Sequence, residues 1–159
     1  PRQSVMRLNE YLRADLVLTG LDAGDREGVI EALAEHLTGS GVVADRRGAA
    51  RALLTREKSH TTAMGHGMAL PHATLPGLDR AVLMVALAAR PIQFGPEDTD
   101  PVRIFFVLLS PPGREGEHIK LLARICRLVR HPGFVDELTA ATDGVEAVTV
   151  IRRVDEQHV

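Results

Sequence analysis

Of the seven histidines in this chain, His72 occupies the position best suited to nucleophilic chemistry. It closes the run Gly65-His66-Gly67-Met68-Ala69-Leu70-Pro71-His72. The glycines let the backbone bend and lie close to its neighbours. The short apolar run then stops at Pro71, which has no N–H for a strand ladder. This predicts that pairing is interrupted at Pro71 and that the His72 imidazole stands at the end of a rigid element. A histidine held this way is a candidate nucleophile or proton-transfer group near neutral pH; the alternative is a histidine that only caps a strand. His118 is the second candidate, in the first turn of a helix predicted over about 115–130. It shares a stripe with Leu122, Ile125 and Val129. A neutral imidazole there can donate to an anion drawn by the helix N-terminus, or can be satisfied inside the core. Arg56 ends the preceding helix, either complementing its dipole or gripping a phosphoryl group through two parallel hydrogen bonds. Glu57 and Lys58 read as a solvated charge cluster, with Glu57 also able to orient Arg56.

Other constellations carry less. His60, His66 and His72 recur every six residues, a spacing that aligns no ligands on a helix face, and no cysteine adjoins them. No metal is expected. The acidic turn Glu97, Asp98, Asp100 lacks an ordered ligand pattern and reads as solvated. The Gly-rich nucleotide loops and the G-x-S-x-G elbow are missing, so nucleotide-driven and serine-hydrolase chemistry have no support.

The elements that must position these residues follow from periodicity and punctuation. Val5 to Leu12 predicts a short helix and Leu16 to Leu21 a strand. Asp25 opens a helix carrying Val29, Ile30, Leu33 and Leu37, which Gly39-Ser40-Gly41 stops. Asp45 opens another, with Ala49, Ala50, Leu53 and Leu54 inward, ending near Arg56-Glu57. Residues 58–66 read as a loop. Strands are predicted at Gly67 to Leu70, Ala81 to Ala88 and Val102 to Ser110, the last apolar enough to be buried on both faces. Pro111-Pro112-Gly113 breaks it, and shorter helices over about 133–141 and 143–149 follow the long one. The fold class is α/β: one domain, a mixed parallel/antiparallel sheet sandwiched between helices.

Bulk properties bound the function. With 159 residues the chain suits one well-buried domain, expected over residues 5–151, with 1–4 and 152–159 as flexible tails. Aromatics are only 3%, so the core must be aliphatic. A net charge of −2 and the lack of a basic stripe with interleaved aromatics argue against nucleic-acid binding. The single cysteine, Cys126, forbids an internal disulfide and fits a reducing compartment. No apolar run approaches the roughly 20 residues that span a bilayer, so a cytoplasmic protein without membrane insertion is expected.

Several of these blocks occur together in one known family. Thr55-Arg56-Glu57-Lys58, Thr62, Gly65, Gly67 to His72, Pro91-Ile92, Asp100-Pro101-Val102 and His118, in that order over about residues 8–150, resemble a IIA domain. The type is that of the bacterial phosphoenolpyruvate-dependent sugar phosphotransferase system, in its fructose/mannitol form, which includes the nitrogen-regulatory protein. The resemblance implies that His72 accepts a phosphoryl group from an HPr-type phosphocarrier and passes it to a IIB partner or uses it as a regulatory state. It implies phosphate-stabilising roles for His118 and Arg56 and no cofactor; Glu57, Thr62 and His66 are expected as supporting residues around them. It also implies an apolar docking surface, with Met64, Met68 and Leu75 as contacts. A purely regulatory module, choosing partners by the phosphorylation of His72, is the alternative; a phosphate-binding hydrolase using His72 and His118 is a third reading. No IIB, carrier or membrane domain is visible beside this one, which leans toward the regulatory type. The chain departs from the family pattern at Ala63, commonly Gly, at His66, often Asn, and at Ala73-Thr74, where Gly-Lys is frequent.

Overall fold

The apolar segment before Pro111 is the spine of the sheet. In the computed structural model, which describes residues 6–157, the order is β1 (Val17–Leu21), α1 (Arg26–Gly39), α2 (Arg46–Ser59), β2 (Ala63–Gly65), β3 (Met68–Ala69), β4 (His72–Thr74), β5 (Val82–Ile92), β6 (Val102–Ser110), α3 (Glu115–Val129), α4 (Phe134–Thr139) and α5 (Gly144–Gln157). Strand β6 pairs antiparallel with β5 along one edge and parallel with β3 and then β4 along the other. β1 adds parallel to β5, and β2 antiparallel to β3. The mixed sheet between helices is therefore as expected.

Alternation divides the core in two. Phe105, Val107 and Leu109 of β6 pack with Val82, Met84 and Ala86 of β5 under α1 and α2. Ile104, Phe106 and Leu108 pack with Leu83, Val85 and Leu87 under α3, α4 and α5. Successive side chains of a strand point to opposite faces, so a strand buried on both sides must be apolar throughout. Asp25 and Asp45 cap α1 and α2, accepting from the backbone N–H of Gly28 at 2.7 Å and of Gly48 at 3.0 Å.

Several boundaries differ from expectation. The helix expected from Val5 to Leu12 is a single 3-10 turn, Leu8–Glu10, Val5 itself lying outside the described residues. α2 runs on to Ser59, and the expected loop 58–66 contains β2, which forms a hairpin with β3 through His66. β5 extends to Ile92, four residues beyond the expected end at Ala88.

The largest correction is at the C-terminal end, where residues 152–157, expected within a flexible tail, complete α5. Residues 1–4 and 158–159 of the expected tails lie outside the described residues. Val148, Ile151, Val154 and Asp155 are buried, a helical stripe that Arg152, Arg153 and Glu156 obscure in a linear reading. Asp155 is 1% exposed and meets Arg124 Nε at 2.6 Å; its other oxygen accepts from the Leu8 N–H at 2.8 Å. One carboxylate thus ties α3, α5 and the N-terminal segment together. Removing one partner of a buried ion pair strands the other charge. Asp155→Ala is expected to cost about 3–5 kcal/mol, read as a drop in the urea midpoint at unchanged slope.

Candidate active site

Pro71 interrupts strand pairing without ending it. Its carbonyl accepts from Leu108 N at 3.0 Å, and His72 then opens β4 in register with Leu108. His72 therefore begins a strand where the end of one was expected. Its Nδ1 lies 2.8 Å from the Leu70 carbonyl oxygen. A carbonyl can only accept, so Nδ1 carries the proton and Nε2 holds the free lone pair.

Leu70 is itself held in place. Its N–H donates to the Thr62 carbonyl at 3.2 Å, and Thr62 is anchored to α2 by Glu57. The Glu57 carboxylate accepts from Thr62 N at 2.6 Å, Thr62 Oγ1 at 2.7 Å and Thr61 Oγ1 at 3.0 Å. At 2% exposed, Glu57 is no member of a solvated cluster; it fastens the connection between α2 and β2, and Arg56 is not its partner. A buried carboxylate with this many donors is satisfied.

His118 lies across from His72, their ring centroids 5.4 Å apart and their planes tilted by 53°. Its Nδ1 is 2.6 Å from Ser110 Oγ, at the end of β6. Arg56 donates one N–H to the His60 carbonyl at 2.8 Å and lines a concavity of about 630 Å³ with His72, His118, Arg51 and Leu75. α3 contributes His118 to that wall. The structure thus brings His72, His118 and Arg56 to one place.

His66 lies elsewhere. It sits at the tip of the β2–β3 hairpin with φ 56°, between Gly65 at 85° and Gly67 at 79°. Three consecutive residues in the left-handed region make a tight turn, a conformation Asn and His tolerate better than most side chains. Met68 pairs with Ile104 and His72 with Leu108, four residues further along β6, so Met68 already lies about 13 Å along the sheet from His72 at about 3.3 Å per residue, and His66 lies beyond it in the turn. It lines a separate concavity of about 820 Å³ with Arg103, Arg130 and His131. Turn geometry, not the site, accounts for the departure at this position.

The expected docking contacts also sort themselves. Met68 is buried in the core and Met64 is exposed on β2, outside the concavity, while Leu75 lines it. Ile119, 65% exposed beside His118, is the apolar residue that sequence reading passed over. Arg51 and Ser110 were missed as well; Ser110 signals itself only as the polar end of an apolar strand. Among the described residues no group of three His, Cys, Asp or Glu is placed to hold a metal ion.

Burial first, and then the Arg56 charge, push the His72 pKa down; the Leu70 carbonyl and Glu57 work against them. Burial and then His72 lower that of His118, against Glu115. Both rings are thereby held neutral to lower pH than an ordinary histidine.

The family model described as "Phosphoenolpyruvate-dependent sugar phosphotransferase system, EIIA 2" matches residues 10–154. The chain belongs to this family. A nitrogen regulatory protein of Bradyrhizobium diazoefficiens is 34% identical over 149 residues, covering 92% of this EIIA chain and 95% of the relative. Among solved structures, the nitrogen regulatory protein IIA-Ntr of Neisseria meningitidis superimposes with a TM-score of 0.83 at 22% identity, over 91% of this chain and 98% of that one. The Escherichia coli complex of enzyme IIAMTL with phosphorylated enzyme IIBMTL gives 0.74 at 22% identity, over 88% and 96%. These likenesses extend the EIIA assignment to the fold.

Two outcomes follow from the site. Titrated by NMR, His72 should show a midpoint below the usual histidine value of about 6.5, and Arg56→Gln should move it upward, because a repelling positive charge is removed. Glu57→Ala leaves the Thr62 N–H and hydroxyl unpaired. It should cost about 1–3 kcal/mol for each buried group stranded, seen as a lower denaturation midpoint and faster amide exchange at Leu70.

Proposed function

We propose that His72 is the phosphoryl acceptor of this EIIA protein. The carrying observation is the pairing of a His72 whose Nδ1 is bound to the Leu70 carbonyl at 2.8 Å with a second imidazole 5.4 Å away in one concavity. With Nδ1 occupied, the Nε2 lone pair attacks the phosphorus of a phosphohistidine on an HPr-type carrier. A new N–P bond forms, the carrier's N–P bond breaks, and its electron pair returns to the carrier's imidazole. The proton on Nδ1 stays where it is. The phosphorylated ring then carries a positive charge that the Leu70 carbonyl stabilises, beside a phosphoryl group whose charge is negative.

The reverse step has the same economy. When the group moves on, His72 departs as a neutral imidazole with Nδ1–H intact, so neither direction requires a general base at this ring. Catalysis reduces to in-line positioning and to spreading charge over the phosphoryl oxygens. Arg56 supplies a fixed cation with several N–H donors, and His118 a second donor. The exposed Ile119 offers apolar surface to a docking protein.

In this reading the onward acceptor is a IIB protein, as in the solved mannitol complex, and the phosphorylated state also serves as a signal. A purely regulatory role is the second reading, favoured by the extended likeness to nitrogen regulatory proteins. Incubation with phosphoenolpyruvate, enzyme I and an HPr-type carrier should place acid-labile phosphate on the wild-type protein and none on His72→Ala. Labelling of His72→Ala would reject the assignment. His118→Ala should fold normally and transfer about 10²-fold more slowly, the usual loss for one charge-stabilising donor. Onward transfer to a IIB protein separates the two readings, since the purely regulatory one expects none.

A further inference from the structure

Ser110 ends β6 with its side chain buried, 2% exposed. Among the described residues its hydroxyl has one hydrogen-bond partner, Nδ1 of His118 at 2.6 Å. A hydroxyl has a single proton to give. Were Nδ1 to carry a proton and donate it to Ser110, the hydroxyl proton would be left buried with no acceptor, an arrangement folded proteins avoid. The arrangement that satisfies both groups has Ser110 donating and Nδ1 accepting. In a neutral ring the remaining proton then sits on Nε2.

We propose that Ser110 is a positioning residue that fixes His118 in its Nε2–H tautomer, aiming a neutral donor at the phosphoryl group of His72. This rests on the phosphoacceptor reading of His72 and adds to it the residue that prepares the second histidine. The consequence is chemical. Protonating His118 requires Nδ1–H, which would reverse the Ser110 bond and strand its hydroxyl, so Ser110 opposes formation of the imidazolium. A neutral N–H spreads charge over the phosphoryl oxygens in both directions of transfer. A cation would form an ion pair with the phosphorylated state and hold the group back from the next acceptor. His118 is also faced by His72 on β4, Arg56 across the concavity on α2, and Glu115 on its own helix. Burial and His72 disfavour its protonation and Glu115 favours it.

The test is long-range ¹H–¹⁵N NMR of the intact chain, with His118 assigned through His118→Gln. The wild type should show a protonated Nε2 and an unprotonated Nδ1 at pH 7.5. Ser110→Ala should give mixed tautomers and a His118 midpoint moved upward. It should also slow transfer from the phosphorylated carrier about tenfold, and Ser110→Thr, which keeps the hydroxyl, should recover most of both. A wild-type His118 protonated at Nδ1, or a tautomer unchanged in Ser110→Ala, overturns the proposal. The wild-type spectrum needs no variant to fold. It is also independent of transfer: a protein with the expected tautomer that never accepts phosphate would reject the reading of His72 while leaving the Ser110 arrangement standing.

Discussion

The bond from His72 Nδ1 to the Leu70 carbonyl is the constraint on which the chemistry proposed for this protein rests. It assigns the two ring nitrogens to different tasks before any partner arrives, and the partner atom is a backbone oxygen that has no protonation state of its own to change. The carbonyl belongs to a residue two positions upstream, and between the two lies Pro71, whose ring locks φ. The geometry of the proposed nucleophile is therefore built into three consecutive residues. What the remainder of the fold must do is hold those residues still.

It does so from two directions. On the sheet side, Leu108 N reaches the Pro71 carbonyl and β6 is buried along nearly its whole length. On the helix side, Glu57 clamps Thr62, and Thr62 holds Leu70. Among the described residues strand β4 is paired only with β6, and that edge location explains how the site is assembled. α2 covers one face of the sheet and α3 the other, so side chains from the two layers can meet only beyond an edge. Arg56 comes from the first layer and His118 from the second. A phosphoryl site bounded by both would be sterically closed at the centre of the sheet.

Much of this was legible in the residues. Strand β6 was readable because burial on both faces leaves no polar positions to confuse the period, and His72 because glycine, an apolar run and Pro-His are strong punctuation. Glu57 was misread because it sits between two charged neighbours, and local composition carries no information about donors five residues on. The C-terminal half of α5 was misread for the related reason that Arg152, Arg153 and Glu156 outnumber the buried Val154 and Asp155 in their segment. Ser110 and His118 are eight residues apart with a Pro-Pro-Gly turn between them, and no periodicity predicts that contact. His66 was read as a supporting residue of the site because its type drew attention, whereas the property that places it there is its backbone conformation.

The shortness of β4 has a bearing on how other proteins can meet this one. An exposed strand edge normally invites a neighbour to add a strand through main-chain hydrogen bonds, the route by which sheets recruit peptides and also by which they aggregate. Here the open edge is three residues long, preceded by a proline and followed by Leu75, whose N–H is already given to the Ser110 carbonyl. There is no ladder long enough to extend. Recognition at the proposed site would therefore fall to the side chains around His72, and the edge is of little use to a misfolded strand.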